Sequence, residues 1–212
     1  MIGIVDYGMG NMHSVCSAFR AIGREILLVT EPEQLRDVGS IVLPGVGSFG
    51  DAMENLRARR LIGELETQVL ANRKPYLGIC LGLQILATTG FEHGEHAGLN
   101  WIPGTVEKLP VSTGGQPLRV PHIGWNEVHT TAGDTLYAGL GEAPAFYFVH
   151  SYVVKPNEPA AINGGCRYGV DFAASIASAN IAAVQFHPEK SHRAGLRLLR
   201  NWCEHIERPA IS

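Results

Sequence analysis

The stretch Pro75-Tyr76-Leu77-Gly78-Ile79-Cys80-Leu81-Gly82-Leu83-Gln84-Ile85-Leu86-Ala87 decides how this chain is read. Residues 75–79 form an apolar run opened by a proline, which predicts a short buried strand. Residues 81–87 are mostly strong helix formers and predict a helix that starts at once. Cys80 stands at the junction, with Gly78 and Gly82 two residues to either side. A strand that turns into a helix within one residue strains the backbone at that residue. Small neighbours let strand and helix pack closely around it. G-x-C-x-G is the thiol counterpart of the G-x-S-x-G nucleophile elbow. The start of the helix adds partial positive charge, which favours thiolate over thiol. The competing reading is a buried structural cysteine, a common fate of a free thiol.

Toward the N-terminus, residues 1–6 read as a buried strand ending in the turn Tyr7-Gly8-Met9-Gly10. Asn11 is placed to cap a helix over 12–22, with Gly23 as its stop. Residues 25–29 and 40–43 are two more strands, the latter broken by Pro44-Gly45-Val46-Gly47. A charged helical stretch over 51–72 has an expected break near Arg60. This alternation predicts an α/β fold with a mostly parallel central sheet and helices on both faces. From 101 to 186 the pattern changes to short β-rich runs, 146–154 and 181–186 among them, read as antiparallel additions to the same sheet. Ser191 is expected to cap a last helix reaching about 205. The chain reads as one domain over 1–212, with a core to about 205 and a tail over 206–212.

Composition excludes several classes. The 212 residues are 45% hydrophobic and 17% charged, with net charge −3. No long basic run invites nucleic acid or an anionic membrane surface. No stretch approaches the ~18–20 apolar residues of a membrane span, and the first residues lack the pattern of a secretory signal. Cys16, Cys80, Cys166 and Cys203 form no C-x-x-C pair. That argues against a zinc site or a disulfide scaffold and suits a reducing cytoplasm. Gly8-Met9-Gly10 lacks the third glycine of a dinucleotide fingerprint, since position 13 is His13. His93, Glu95 and His96 have no third ligand at a recognisable spacing, so no metal or other cofactor is expected.

Two further segments bear on Cys80. In Gln185-Phe186-His187-Pro188-Glu189, extended chain would turn His187 and Glu189 to the same side. One is then a general base and the other orients the imidazole, the logic of a nucleophilic triad. Pro44-Gly45-Val46-Gly47-Ser48-Phe49-Gly50 follows the third strand, at the same carboxyl edge as Cys80. Its glycines let backbone N–H groups approach a developing oxyanion. A strand end with two unrelated polar groups and a plain βα turn are the bland alternatives.

P-G-V-G at 44–47, G-I-C-L-G-L-Q at 78–84 and Q-F-H-P-E-K-S at 185–191 together resemble the class I, triad-type, glutamine amidotransferases. D-Y-G-M-G-N at 6–11, V-P-H-I-G-W-N at 120–126 and F-V-H-S-Y at 148–152 narrow the resemblance. They point to glutaminase subunits that feed a (β/α)₈-barrel cyclase in histidine biosynthesis. The resemblance spans about 1–199. It implies that Cys80 attacks the side-chain amide of glutamine, that His187 shuttles protons and that Glu189 holds His187. It implies an oxyanion hole of backbone N–H groups around Gly45, Val46 and Leu81. It gives Gln84, Glu92, Ser151 and Tyr152 to the backbone end of glutamine. It also implies a heterodimer with the cyclase, which binds a phosphorylated ribulosyl-formimino carboxamide nucleotide. The joint products would be imidazole glycerol phosphate, an aminoimidazole carboxamide ribotide and glutamate. Tyr147, Lys190, Trp125 and His122 are implied on the side that faces this partner, where ammonia crosses.

Overall fold

The computed structural model describes residues 1–131 and 133–207; of the expected tail over 206–212, Ile206 and Glu207 belong to the last helix and 208–212 lie outside the described residues. Four strands, β1 (Ile2–Val5), β2 (Ile26–Val29), β3 (Ser40–Gly45) and β4 (Tyr76–Cys80), lie in one eight-stranded sheet. Its order is His129–Thr130, Ile162–Tyr168, Val170–Ser178, Ile181–Val184, β4, β3, β1, β2. The pairings from Ile181–Val184 through β2 are all parallel, and those on the other side are antiparallel. The expected mostly parallel centre with antiparallel additions is therefore present.

Alternation along each strand sends side chains to opposite faces. Ile4, Val42, Leu77 and Val184 pack into one core with Phe19 of helix α1 (Met12–Ala21) and with Leu198 and Trp202 of α5 (His192–Glu207). Val5, Ile41, Leu43 and Tyr76 pack into the other, against α2 (Phe49–Ala58) and α3 (Leu61–Glu66). The expected break falls at Arg60, which adopts a left-handed φ of 57° between α2 and α3. Asn11 caps α1 by accepting from the Ser14 N–H at 3.2 Å. Among the described residues no helix is long and apolar enough to cross a membrane.

Three expectations are corrected. The run 146–154 is two strands, Ala145–His150 and Tyr152–Pro156, which leave the main sheet altogether. The first pairs antiparallel with His122–Glu127, and the second with Gly104–Lys108 in a separate four-stranded sheet. The helix after Cys80, α4 (Leu81–Gln84), is a single turn. Past Gln84 the chain tightens, Leu86 donating to Leu83 and Ala87 to Gln84, and the carbonyls beyond are taken across the chain, with Leu99 donating to Ile85, Asn100 to Ala87, and Trp101 and Ile102 to Leu86. Ser191 precedes α5, but its hydroxyl does not cap it. It donates to the His187 carbonyl at 2.6 Å and accepts from the Tyr147 N–H at 3.0 Å.

Candidate active site

Three adjacent parallel strands carry the three motifs to one sheet edge. Gly45, the last residue of β3, lies in register with Cys80, the last of β4. On the other side of β4, Val184 lies opposite Ile79, so the chain runs directly from there into Gln185 and His187. Cys80 has φ 55° and ψ −106°, a conformation that costs a non-glycine residue about 1–3 kcal/mol. The flanking glycines are required by contact. A methyl at Gly82 would stand 1.8 Å from the Leu43 carbonyl oxygen, and one at Gly78 2.5 Å from that of Gly82. Gly45 is equally enclosed: a Cβ there would meet the Tyr7 hydroxyl at 2.3 Å and Leu81 at 2.9 Å. With only one turn, α4 has no summed macrodipole to offer. Any help to a thiolate from this side comes from individual N–H groups.

His187 Nδ1 and Glu189 Oε1 are 2.7 Å apart, and both side chains are almost wholly buried. The chain between them is a 3₁₀ turn over Pro188–Lys190, not the extended link expected from sequence. The backbone is held at this turn from outside it, because the His187 N–H donates to the Tyr147 carbonyl at 2.9 Å. Burial opposes the imidazolium, but charge on Cys80 and then on Glu189 outweighs it and pushes His187 up to about 10. The proton thus belongs to the sulfur–imidazole pair as a unit. His187 Nε2 and Glu189 Oε2 are buried and find no hydrogen-bond partner among the described residues.

Cys80 and His187 open into a cavity of about 400 Å³, within the range of small-molecule sites. Val46, Leu81, Gln84, Glu92, Ser151, Tyr152 and Lys190 line it too, so seven further expected residues converge here. Glu92 also ties the cavity to α2, accepting from the Phe49 N–H at 2.8 Å. Of the remaining expected residues, Trp125 and Tyr147 lie opposite one another on paired strands. Tyr147 meets Trp125 edge to face at 6.1 Å, and Trp125 stacks on His192 at 5.1 Å. Trp125 and Ile123 are 48% and 54% exposed, an apolar patch on the His122–Glu127 strand. His122 is a correction. It is 3% exposed, stacked between Phe148 and Tyr168, and so lies behind that surface and not on it.

Sequence reasoning passed over two residues. His150 lines the cavity and is hydrogen-bonded to His122, with 3.0 Å between His122 Nδ1 and His150 Nε2. Burial pushes His150 down to about 3 and His122 down to about 4. Gln185, fully buried, directs its amide nitrogen at Cys80 Sγ, 3.7 Å away. A signal existed for the first. His150 shares the core face of its strand with Phe146 and Phe148, and an imidazole there needs buried partners.

The model of the "Glutamine amidotransferase class-I" family matches residues 3–206. A relative from Moorella thermoacetica, named imidazole glycerol phosphate synthase subunit HisH, is 43% identical over 96% of this chain and 94% of its own length. The protein of that name from Geobacter sulfurreducens is 42% identical over 96% of this chain and 98% of its own. Two solved structures share the fold at low identity. One, described as a glutamine amidotransferase, superposes with a TM-score of 0.75 at 20% identity, covering 98% of this chain and 99% of the other. A chain from the PurLQS structure of Thermotoga maritima gives 0.75 at 18% identity, covering 97% and 98%.

Proposed function

The chain belongs to the class I glutamine amidotransferases, and on that premise we propose that Cys80, His187 and Glu189 hydrolyse glutamine as the glutaminase subunit of an imidazole glycerol phosphate synthase. The relatives at 42–43% identity support that branch over other glutaminases of the family. Cys80 Sγ attacks the side-chain amide carbon while its proton passes to His187. The tetrahedral intermediate collapses as His187 returns that proton to the nitrogen, the C–N bond breaks and ammonia leaves. Water, deprotonated by His187, then attacks the thioester; the C–S bond breaks and glutamate is released. Glu189 keeps the imidazole in the orientation and tautomer this traffic needs. The oxyanion is assigned to backbone N–H groups around Gly45, Val46 and Leu81, where a 1–3 kcal/mol elbow strain already holds the thiol forward. Gln84, Glu92, Ser151 and Tyr152 take the backbone end of glutamine.

Ammonia released to water protonates and loses its nucleophilicity. A docked acceptor is the physical answer, and the (β/α)₈-barrel cyclase is the partner we assign; the lyase step belongs to it. The exposed Trp125 and Ile123, with Tyr147 packed on Trp125 and Lys190 lining the cavity, are the surface we give to that contact. The cytoplasm is the assigned compartment. The observation that carries the reading is that His187, paired with buried Glu189 at 2.7 Å, opens on the same cavity as a strained Cys80. A glutamine-mimicking electrophile tests it. Mass mapping is expected to find label on Cys80, which lines the cavity, and none on Cys16, Cys166 or Cys203, which do not. Burial also pushes the thiols of Cys166 and Cys203 up, to about 12 and about 11. Label on any of those three in place of Cys80 contradicts the assignment.

A further inference from the structure

The hydrogen bonds behind the cavity fix which end of each amide points where, and the relay of amides ends on the sulfur. The Tyr152 carbonyl only accepts. It receives His150 Nδ1 at 2.9 Å and Gln84 Nε2 at 3.0 Å, which uses both lone pairs. Gln84 must therefore turn its nitrogen to that carbonyl. Its second N–H reaches Gln185 at 3.1 Å, and only an amide oxygen can receive it. Gln185 is then left with its nitrogen toward Cys80 Sγ at 3.7 Å.

The other branch is determined as well. His150 Nδ1 carries its proton, so a neutral His150 offers Nε2 as acceptor to the Nδ1–H of His122. His122 Nε2 in turn accepts from Asn126, whose amide is fixed by donating to the Arg167 carbonyl and accepting from the Glu127 N–H. Gln84, Gln185, His122 and His150 are all more than nine-tenths buried.

We propose that Gln185 is a further catalytic residue, whose side-chain N–H donates to Cys80 Sγ and stabilises the thiolate. The inference rests on the amide hydrolysis proposed above. A neutral donor favours the charged form of the sulfur, and the locked orientation means no reorganisation is needed when charge returns to it. Charge leaves the sulfur on thioester formation and comes back when the C–S bond breaks. Gln185 thus serves twice: it stabilises the thiolate that forms as the proton passes to His187, and it receives the departing thiolate in the second half of the reaction.

The test measures iodoacetamide alkylation of Cys80 against pH in the intact complex with the cyclase. Gln185→Met removes the donor at nearly constant shape. Gln185→Glu keeps an oxygen for Gln84 and sets a carboxylate in place of the donor. The thiolate titration is expected to move up by about one pH unit in Gln185→Met, a tenfold slower alkylation at neutral pH, and further in Gln185→Glu. Glutamine turnover is expected to fall at least tenfold in kcat, with KM falling alongside it as thioester accumulates. Identical alkylation profiles in all three proteins overturn the proposal, even where wild-type glutaminase activity stands. Should both variants misfold, the side-chain ¹⁵NH₂ resonance of Gln185 in the wild type decides. It must shift with the ionisation of Cys80 and lose that dependence in Cys80→Ala. An invariant resonance equally overturns the assignment.

Discussion

Replacing Glu189 by Gln removes one charge and almost no volume, and its consequence is worked out from two oxygens. Oε1 receives His187 Nδ1 at 2.7 Å; Oε2 is buried and has no partner among the described residues. A charge-assisted bond of this kind contributes about 1.5–3 kcal/mol, which sets a floor of about 10- to 150-fold in rate. The amide orientation adds to it. If the amide oxygen stays toward the ring, the NH₂ group is buried where Oε2 stood, with neither hydrogen bonded. If the nitrogen turns to the ring, one N–H is satisfied, but Nδ1 must then accept and the ring proton moves to Nε2. That tautomer is unable to take the proton of Cys80. A wrong tautomer has cost about 10⁴ in a comparable triad. Burial favours the second orientation, so kcat for glutamate release from the complex is expected to fall by about 10²–10⁴, with ammonium-dependent product formation unchanged. The effect stays short of Cys80→Ala, because the nucleophile remains. A loss under tenfold, or one equal to that of Cys80→Ala, refutes the orienting role.

The buried histidines make stability depend on acid. With folded values near 4 for His122 and near 3 for His150, against about 6.5 when unfolded, the unfolded chain binds protons that the folded one does not. The contribution of these two is full above about pH 6.5 and falls with pH toward 4 and then 3. In His122→Phe the denaturation free energy between pH 6 and 4.5 is expected to fall less steeply, by about 1.4 kcal/mol per pH unit for each proton removed from the linkage. Superimposable slopes would mean that His122 is not held neutral. At the proposed ammonia crossing, Tyr147→Ala removes the ring that meets Trp125 and leaves its backbone bonds to His187 and Ser191 in place. Glutamate is expected to exceed imidazole product in this variant, and Lys190→Ala to weaken stimulation by the cyclase without slowing Cys80 labelling. A ratio that stays at one places the crossing elsewhere.

The elbow was legible because its physics is local. A strand, a nucleophile between two glycines and a helical run occupy contiguous residues, and the contacts at Gly78 and Gly82 follow from that order. The parallel sheet was legible from alternation, since buried strands and amphipathic helices differ in period. What sequence missed was settled at long range. After α4 the chain tightens into three-residue turns, and the carbonyls of Ile85, Leu86 and Ala87 are taken by residues 99–102 instead of by a continuing helix. The split at Ser151 arises because two different sheets claim the two halves of one apolar run. Ser191 suited a cap, yet a buried demand at Tyr147 and His187 takes its hydroxyl. The same applies at the site. Cys80, His187 and Glu189 lie in motifs whose chemistry is apparent from residue type. The donor role of Gln185 depends on partners about 30 to 100 residues away, through Tyr152 and Gln84.

The central claim is that this chain makes ammonia through Cys80 and that a separate subunit uses it. One measurement addresses both halves: imidazole glycerol phosphate formation by the complex of Cys80→Ala with the cyclase, run once with glutamine and once with ammonium salts at alkaline pH. Removal of the nucleophile leaves the remainder of a triad with at most about 10³–10⁴ of residual catalysis over water, too little to sustain glutamine-dependent turnover. The account predicts no detectable product from glutamine and a wild-type rate from ammonium. Product from glutamine at a substantial fraction of the wild-type rate would contradict it and remove Cys80 as the nucleophile.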